Sequence, residues 1–296
     1  MIKIVARMRG GLGNQLFILS FAYRLLIEAK QDEYEIVLDN REYKKYKIRS
    51  LEINKLICDK NVRLFNQKKD YSFFYDFTRW VYHIFQFVFK SAVIRKKVFY
   101  FLSKFGLYYS DSSIGTFCSP IKKKKIYLYG YFQNASSVVS CLPFFKKQIG
   151  FCDNDDRLNS QISISIRCGA DYIKGGWKIC TTNYYKKALE YILSKKKVDA
   201  RRTKIIVFSD DIAIARTIID FSNAVFIENL EPIDQLKLMS KSSDFIISNS
   251  SFSWWGSLLG KSEKTIIVAP YVWHDSGVNI YDSSLFIDCM HVLPND

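Results

Sequence analysis

IKIVARMRGGLGNQLFILSFAYRLLIEAK, residues 2–30, changes character twice. The β-branched run IKIVAR predicts a strand over 2–7. Gly10, Gly11 and Gly13 crowd three glycines into four positions, the amide pair Asn14 and Gln15 follows, and the apolar residues from Leu16 onward fall on one helical stripe. This reads as strand, tight turn, helix. EIVLD (35–39) supplies a second strand and completes a βαβ-like unit. Glycines after a strand suggest a dinucleotide loop, but the GxGxxG spacing fails because Leu16 occupies its last position. They are read instead as letting the backbone approach a neighbour closely while Asn14 and Gln15 donate from the helix start.

The second half repeats the alternation more regularly. ISISIR (162–167), KIIVFSD (204–210), AVFI (224–227), DFIISNS (244–250) and KTIIVAP (264–270) are short apolar runs. Helical stretches such as NYYKKALEYILSKKK, DIAIARTIIDF, PIDQLKLMSKS and SFSWWGSLLGK lie between several of them. Alternating strands and helices predict a parallel sheet covered on both faces, a Rossmann-like α/β half. The predicted division is residues 1–154 and 155–296, with no fixed-period repeat.

Composition narrows the class. At 296 residues and 48% hydrophobic the chain can bury one large core or two modest ones. Arg7 and Arg9 interrupt the first apolar run, so no secretory signal is expected, and no charge-free window approaches the roughly 18 residues of a membrane span. Seven scattered cysteines without CxxC spacing argue against a disulfide framework or structural zinc and fit a cytoplasmic setting. The net charge of +15 is unevenly placed: residues 1–150 hold 27 Lys plus Arg against 11 Asp plus Glu, and residues 151–296 hold 17 against 18. The first half therefore favours an anionic partner, such as an acidic membrane leaflet or a phosphate-bearing substrate, unless it is only a solubilising surface; nucleic acid is not expected. Residues 71–109, crowded with aromatics and studded with Arg and Lys, predict helices. They either lie on an anionic membrane at its inner face or pack in the first half's core.

In parallel α/β sheets ligands collect beyond the carboxyl ends of strands. Those ends offer Arg167, then Ser209, Asp210 and Asp211, then Asn249, Ser250, Ser251, Phe252 and Ser253. Small hydroxyl residues opening a helix gather amides and Oγ groups around one point, which suits phosphate; simple capping would account for one serine. The strand pattern buries Arg167, which then needs an anion: a ligand phosphate or Asp171. Ser209, Asp210 and Asp211 equally suit a helix start. His83, His274 and His291 form no group with acids at metal-ligand spacing, so metal-independent chemistry is expected.

GGLGNQLF, IRCGADY, FSDD, SNSSFSWWGSLL and IIVAPYVW, in that order from residue 10 to residue 273, resemble the bacterial α-1,2-fucosyltransferases of glycosyltransferase family 11. The resemblance implies a GT-B-like architecture of two Rossmann-like domains facing a cleft. It implies GDP-L-fucose as donor, inversion at the anomeric carbon, no cofactor or metal, and a galactoside or other glycan acceptor, lipid-linked or free, in surface-glycan (O-antigen) synthesis. It also implies that Arg167 holds the donor diphosphate. The sequence names no general base; Asp171 and Asp39 are candidates, and Asp171 equally suits orienting Arg167. Ser250, Ser251 and Ser253 would contact phosphate or nucleotide, Asn249 would order their loop, and Asp210 or Asp211 would lie near the nucleotide. Gly11, Gly13, Asn14 and Gln15 become a lid edge over the donor. Ser165 stands where the family has histidine, Cys168 where it has a second arginine, and Ala170 reads as an insertion. Those departures leave open a transferase using another nucleotide sugar, or a catalytically lapsed glycan-binding protein at the membrane.

Overall fold

The computed structural model describes residues 1–44, 49–88, 91–110, 121, 123–151, 158–274, 279–281 and 283–296, and the chain divides into two units, Met1–Cys152 and Asp153–Asp296. The boundary expected at 154/155 lies outside the described residues.

In the first unit, strand β1 (Ile2–Arg7) leads through helix α1 (Leu12–Glu28) to β2 (Tyr34–Asp39), β3 (Val62–Leu64), and helices α2 (Gln67–Asp70), α3 (Phe73–Val88) and α4 (Ala92–Ser103). Strand β4 (Leu107–Tyr109), strand β5 (Lys125–Tyr129) and helix α5 (Ala135–Gln148) complete it. The sheet is parallel throughout, in the order β3-β2-β1-β5-β4. Alternation splits its side chains between two faces. Val5, Val37, Tyr109, Tyr127 and Tyr129 cluster with Tyr75 and Tyr82 of α3, so that helix covers one face. Helix α1 packs on α5, and Phe21 of α1 stacks on Phe132 with ring centroids 4.4 Å apart.

Residues 71–109 are not helical throughout as expected. They form two helices and then a strand, since fully buried Leu107, Tyr108 and Tyr109 pair with β5 instead of extending α4. The helices share in the core on one side only: α3 buries Tyr75 and Tyr82 against the sheet and leaves Phe73, Phe77, Trp80 and Phe87 exposed. Among the described residues, no helix is long and apolar enough to cross a membrane.

The second unit runs β6 (Leu158–Ile166), α6 (Ala170–Lys174), α7 (Thr182–Lys196), β7 (Lys204–Ser209), α8 (Ile212–Ile218), β8 (Ala224–Phe226) and α9 (Pro232–Ser240). It closes with β9 (Ser242–Ile246), α10 (Ser251–Leu259), β10 (Ile267–Pro270) and β11 (Met290–Leu293). Its parallel sheet has the order β11-β10-β9-β6-β7-β8. The ISISI pattern is buried on both faces: Ile162, Ile164 and Ile166 join Tyr184, Tyr185 and Ile192 of α7 in one cluster. The intervening serines bond across strands, Ser163 to Ser242 at 2.6 Å and Ser165 to Ser248 at 3.4 Å. Tyr184 and Tyr185 carry polar tips into the core, and each donates to a strand carbonyl, Ile247 at 2.6 Å and Ser165 at 3.2 Å.

Candidate active site

In the second sheet β6, β7 and β8 progress to one side of β6, while β9, β10 and β11 progress to the other. The β6/β9 junction is thus a switch point, where helices leave for opposite faces and open a crevice at the strand ends. The polar segments following β6, β7 and β9 meet at this edge.

Asp210 ties two of them together. One carboxylate oxygen accepts from the Cys168 amide at 2.9 Å. The other accepts from the Gly169 amide at 2.9 Å and from Arg167 Nη1. A Cβ on residue 169 would collide with that carboxylate, which explains the glycine without any unusual backbone angle. Arg167 Nη2 also donates to Asp171 Oδ2 at 2.9 Å, and the guanidinium lies 5.1 Å from the Tyr172 ring centroid. Tyr172 stacks on Trp177 and donates its hydroxyl to the Asn249 carbonyl at 3.0 Å, linking the β6 end to the β9 end.

Arg167 is not buried as the strand pattern implies. It follows the last residue of β6, its side chain keeps 20% exposure, and Asp171 and Asp210 already supply its anions. Asp171 is 44% exposed, so this i,i+4 pair contributes only about 0.3–0.5 kcal/mol and is readily exchanged for a stronger anion. Two of the guanidinium's five N–H groups are committed to these acids.

The helix starts differ in a way that selects among the candidates. Asp211 caps α8, its carboxylate accepting from the Ile214 amide at 3.0 Å, and Ser209 closes the same turn through the Asp211 amide at 3.1 Å and carbonyl at 3.0 Å. Ser209 and Asp211 are therefore spent on the turn. Helix α10 has Ser250 at its N-cap position but no side-chain cap, leaving its opening amides as donors for an anion. Ser250, Ser251 and Phe252 are partly exposed there. Ser253 is fully buried and donates to the Ser248 and Ser250 carbonyls at 3.2 and 3.1 Å, so its hydroxyl faces the turn and not a ligand. Asn249 orders the loop by donating to the Lys178 carbonyl at 3.0 Å, while its own Oδ1 is buried without a partner.

Cys168 is fully buried, with Sγ 3.4 Å from Ser209 Oγ, and burial raises its thiol pKa above the ordinary value. It stays a neutral thiol at physiological pH and contributes no charge in place of an arginine.

In the first unit Gly10 takes the left-handed φ of +70° that turns β1 into α1, and a side chain there would meet Asn14. Gln15 is fully buried. Its Nε2 donates to the Gly10 and Ser50 carbonyls at 3.0 and 2.8 Å, and its Oε1 accepts from the Glu52 and Ile53 amides at 2.9 Å each. All four hydrogen-bonding valences of that amide are used inside the fold, so Gln15 is a brace and not a ligand donor. Gly13 is buried within α1, Gly11 is its N-cap, and part-exposed Asn14 accepts from Gln133 Nε2 at 2.8 Å. Asp39 fails as a base for a similar reason. It is fully buried and its oxygens are engaged by Arg41 at 2.9 Å and Arg7 at 3.1 Å.

The family model for glycosyl transferase family 11 matches residues 100–286. The chain belongs to this family. It is 32% identical to the O-antigen biosynthesis glycosyltransferase WbnK of Escherichia coli, with 89% of this chain and 92% of that protein aligned. An alpha-1,2-colitosyltransferase of Escherichia coli is 29% identical, with 92% of each chain aligned. Among solved structures, the fucosyltransferase NodZ from Bradyrhizobium aligns over 87% of this chain and 92% of its own with a TM-score of 0.45 and 12% identity. As a family 11 glycosyltransferase the chain uses a sugar donor and a glycan acceptor, and its fold is α/β with parallel sheets. Tyr172 and Gly169, which build the edge, are not among the residues singled out from the sequence; their signal is their place inside IRCGADY, directly after a strand. Among the described residues, no group of three or more His, Cys, Asp or Glu is placed to hold a metal ion.

Proposed function

We propose that this family 11 enzyme transfers L-fucose from GDP-L-fucose to a galactoside hydroxyl in α-1,2 linkage, with inversion and without a metal, during O-antigen assembly. It works in the cytoplasm, at the inner face of a membrane that carries the acceptor. The observation that carries the reading is Arg167 beside an uncapped helix start at the β6/β9 switch point. As the glycosidic bond to GDP breaks, negative charge grows on the leaving phosphate. Arg167 and the α10 amides stabilise that charge more than the ground state. The diphosphate displaces Asp171 from Arg167, while Asp210 keeps the guanidinium aimed. Asp171, freed beside the reacting centre, is the candidate to accept the acceptor's proton. WbnK, named for O-antigen biosynthesis, supports the pathway.

The colitosyltransferase relative favours a second reading in which another sugar is carried on the same nucleotide. GDP-fucose and a galactoside panel, read by GDP release, with thermal shifts for GDP, UDP and CMP, test both. The fucose reading requires GDP release and stabilisation by GDP. GDP stabilisation without turnover of GDP-fucose moves the assignment to the second donor, and no GDP response ends both.

A further inference from the structure

The first sheet has its own switch point, between β1 and β5, because β2 and β3 lie to one side of β1 and β5 and β4 to the other. A cavity of 420 Å³ opens at those strand ends, lined by residues after β1, after β2, at the end of β5 and along α3. Its floor is neutral. Arg7 and Arg41 alternate with Asp39 and Asp76 in a closed ring, with Arg7 to Asp39 at 3.1 Å, Arg7 to Asp76 at 2.9 Å, Arg41 to Asp39 at 2.9 Å and Arg41 to Asp76 at 2.8 Å.

The mouth is not neutral. Arg9 and Arg79 lie 5.1 and 5.4 Å from the centroid of the same ring, Tyr129, and repel one another. Glu42 reaches Arg9 at 3.4 Å, and the carboxylate that Arg79 reaches among the described residues is the already paired Asp76, at 3.8 Å. The Nε–H of Arg79 is buried without a hydrogen-bond partner. The Tyr129 hydroxyl accepts from Arg9 at 3.0 Å and lies 2.6 Å from His83 Nε2. Counting the mouth alone, two guanidiniums face one carboxylate, and an anion would complete it.

Helix α3 decides what kind of anion. At about 100° per residue, Asp76, Arg79 and His83 share one flank, and Phe73, Phe77, Trp80, Ile84 and Phe87 form a stripe roughly a quarter turn away. That stripe is open to solvent, Phe73 at 72% and Phe87 at 86% exposure. The outer side of α4 continues the theme, with exposed Val93, Tyr100 and Phe101 interleaved with exposed Lys97 and Lys104. A soluble phosphate would use the arginines and leave this apolar surface in water. An amphiphile uses both.

We propose that the Arg9–Arg79 mouth binds the phosphate ester of an anionic lipid headgroup while the α3 stripe and the outer side of α4 enter the acyl region. The inference deepens the reading of a transferase working at a membrane and does not depend on the donor sugar. The test is co-sedimentation of the full chain with phosphatidylcholine vesicles, with and without about 30% phosphatidylglycerol, at low and high salt. Arg9→Gln with Arg79→Gln should weaken binding to anionic vesicles by roughly 10- to 30-fold. Trp80→Ser with Phe87→Ser should weaken binding to the same vesicles. Both double variants should keep the GDP thermal shift, which shows them folded and separates failure here from failure of the donor assignment. Equal binding to neutral vesicles overturns the proposal, as does anionic binding indifferent to the arginine pair. Millimolar inorganic pyrophosphate is the last arm: if it saturates the Arg9–Arg79 site equally in wild type and in the Trp80/Phe87 variant, and blocks vesicle binding, the site is one for free phosphate and the lipid assignment falls.

Discussion

The two sheets end in the same topological device and equip it oppositely. At the β6/β9 edge one arginine, Arg167, is held by two acids, and the remaining donors are backbone amides at an uncapped helix. At the β1/β5 edge arginine side chains outnumber acids around the cavity, and aromatic rings face solvent beside them. A crevice made of amides and one bidentate cation suits a compact group whose charge rises during reaction. A crevice with surplus guanidinium beside an apolar stripe suits a headgroup that is simply held. Parallel topology fixes where ligands go; what fills the strand ends decides which ligand.

The comparison breaks most visibly at Arg167. Arg167→Ala should lower the rate of GDP release by about 10²–10³, the loss seen when one oxyanion-stabilising donor is removed, with little change in melting temperature. An unchanged rate would move the diphosphate elsewhere. Gln15→Ala should do the reverse and act first on stability. It strands four backbone partners, two of them on buried residues, so a cost of roughly 2–4 kcal/mol is expected, or about 5–10 °C by calorimetry. A melting temperature within a degree of wild type would return Gln15 to the ligand-binding residues.

Gly169→Ala pushes against the Asp210 carboxylate and should lower kcat by roughly tenfold, on the expectation that a small misplacement of the reacting groups is felt strongly. The rate should partly recover when Asp210→Ala is added. Asp171→Asn has the smallest expected effect on binding. Removing the anion that competes for Arg167 should tighten GDP by about 2- to 5-fold in calorimetry, the scale of a weak exposed ion pair. A simultaneous collapse of kcat would assign Asp171 as the base, whereas unchanged kcat would leave it only the orienting role.

Much of the second unit is legible in the sequence, because its strands are long enough to show runs and each ends on polar residues. The loop from Asn249 to Ser253 reads as a site, but sequence does not say which hydroxyls turn inward; packing of α10 sends Ser253 to its own turn carbonyls. Strands β3, β4 and β11 escape notice because three or four residues carry no period, and β4 sits inside an aromatic run that reads as helix. The arginine mouth is harder still. Arg9 and Arg79 come from distant segments joined by the β1, β5 and α3 geometry, although Arg7 and Arg9 at the end of the first strand and Asp39 and Arg41 at the end of the second are the same strand-end signal that marks the second unit.

A structure of the complex with GDP shows directly whether Arg167 and the α10 amides hold the diphosphate. The diphosphate should lie within hydrogen-bonding distance of Arg167 and the first amides of α10, with Asp171 turned away and Asp210 still on the Cys168 and Gly169 amides. A diphosphate seated at Arg9 and Arg79, with the Arg167–Asp171 pair intact, would contradict that placement.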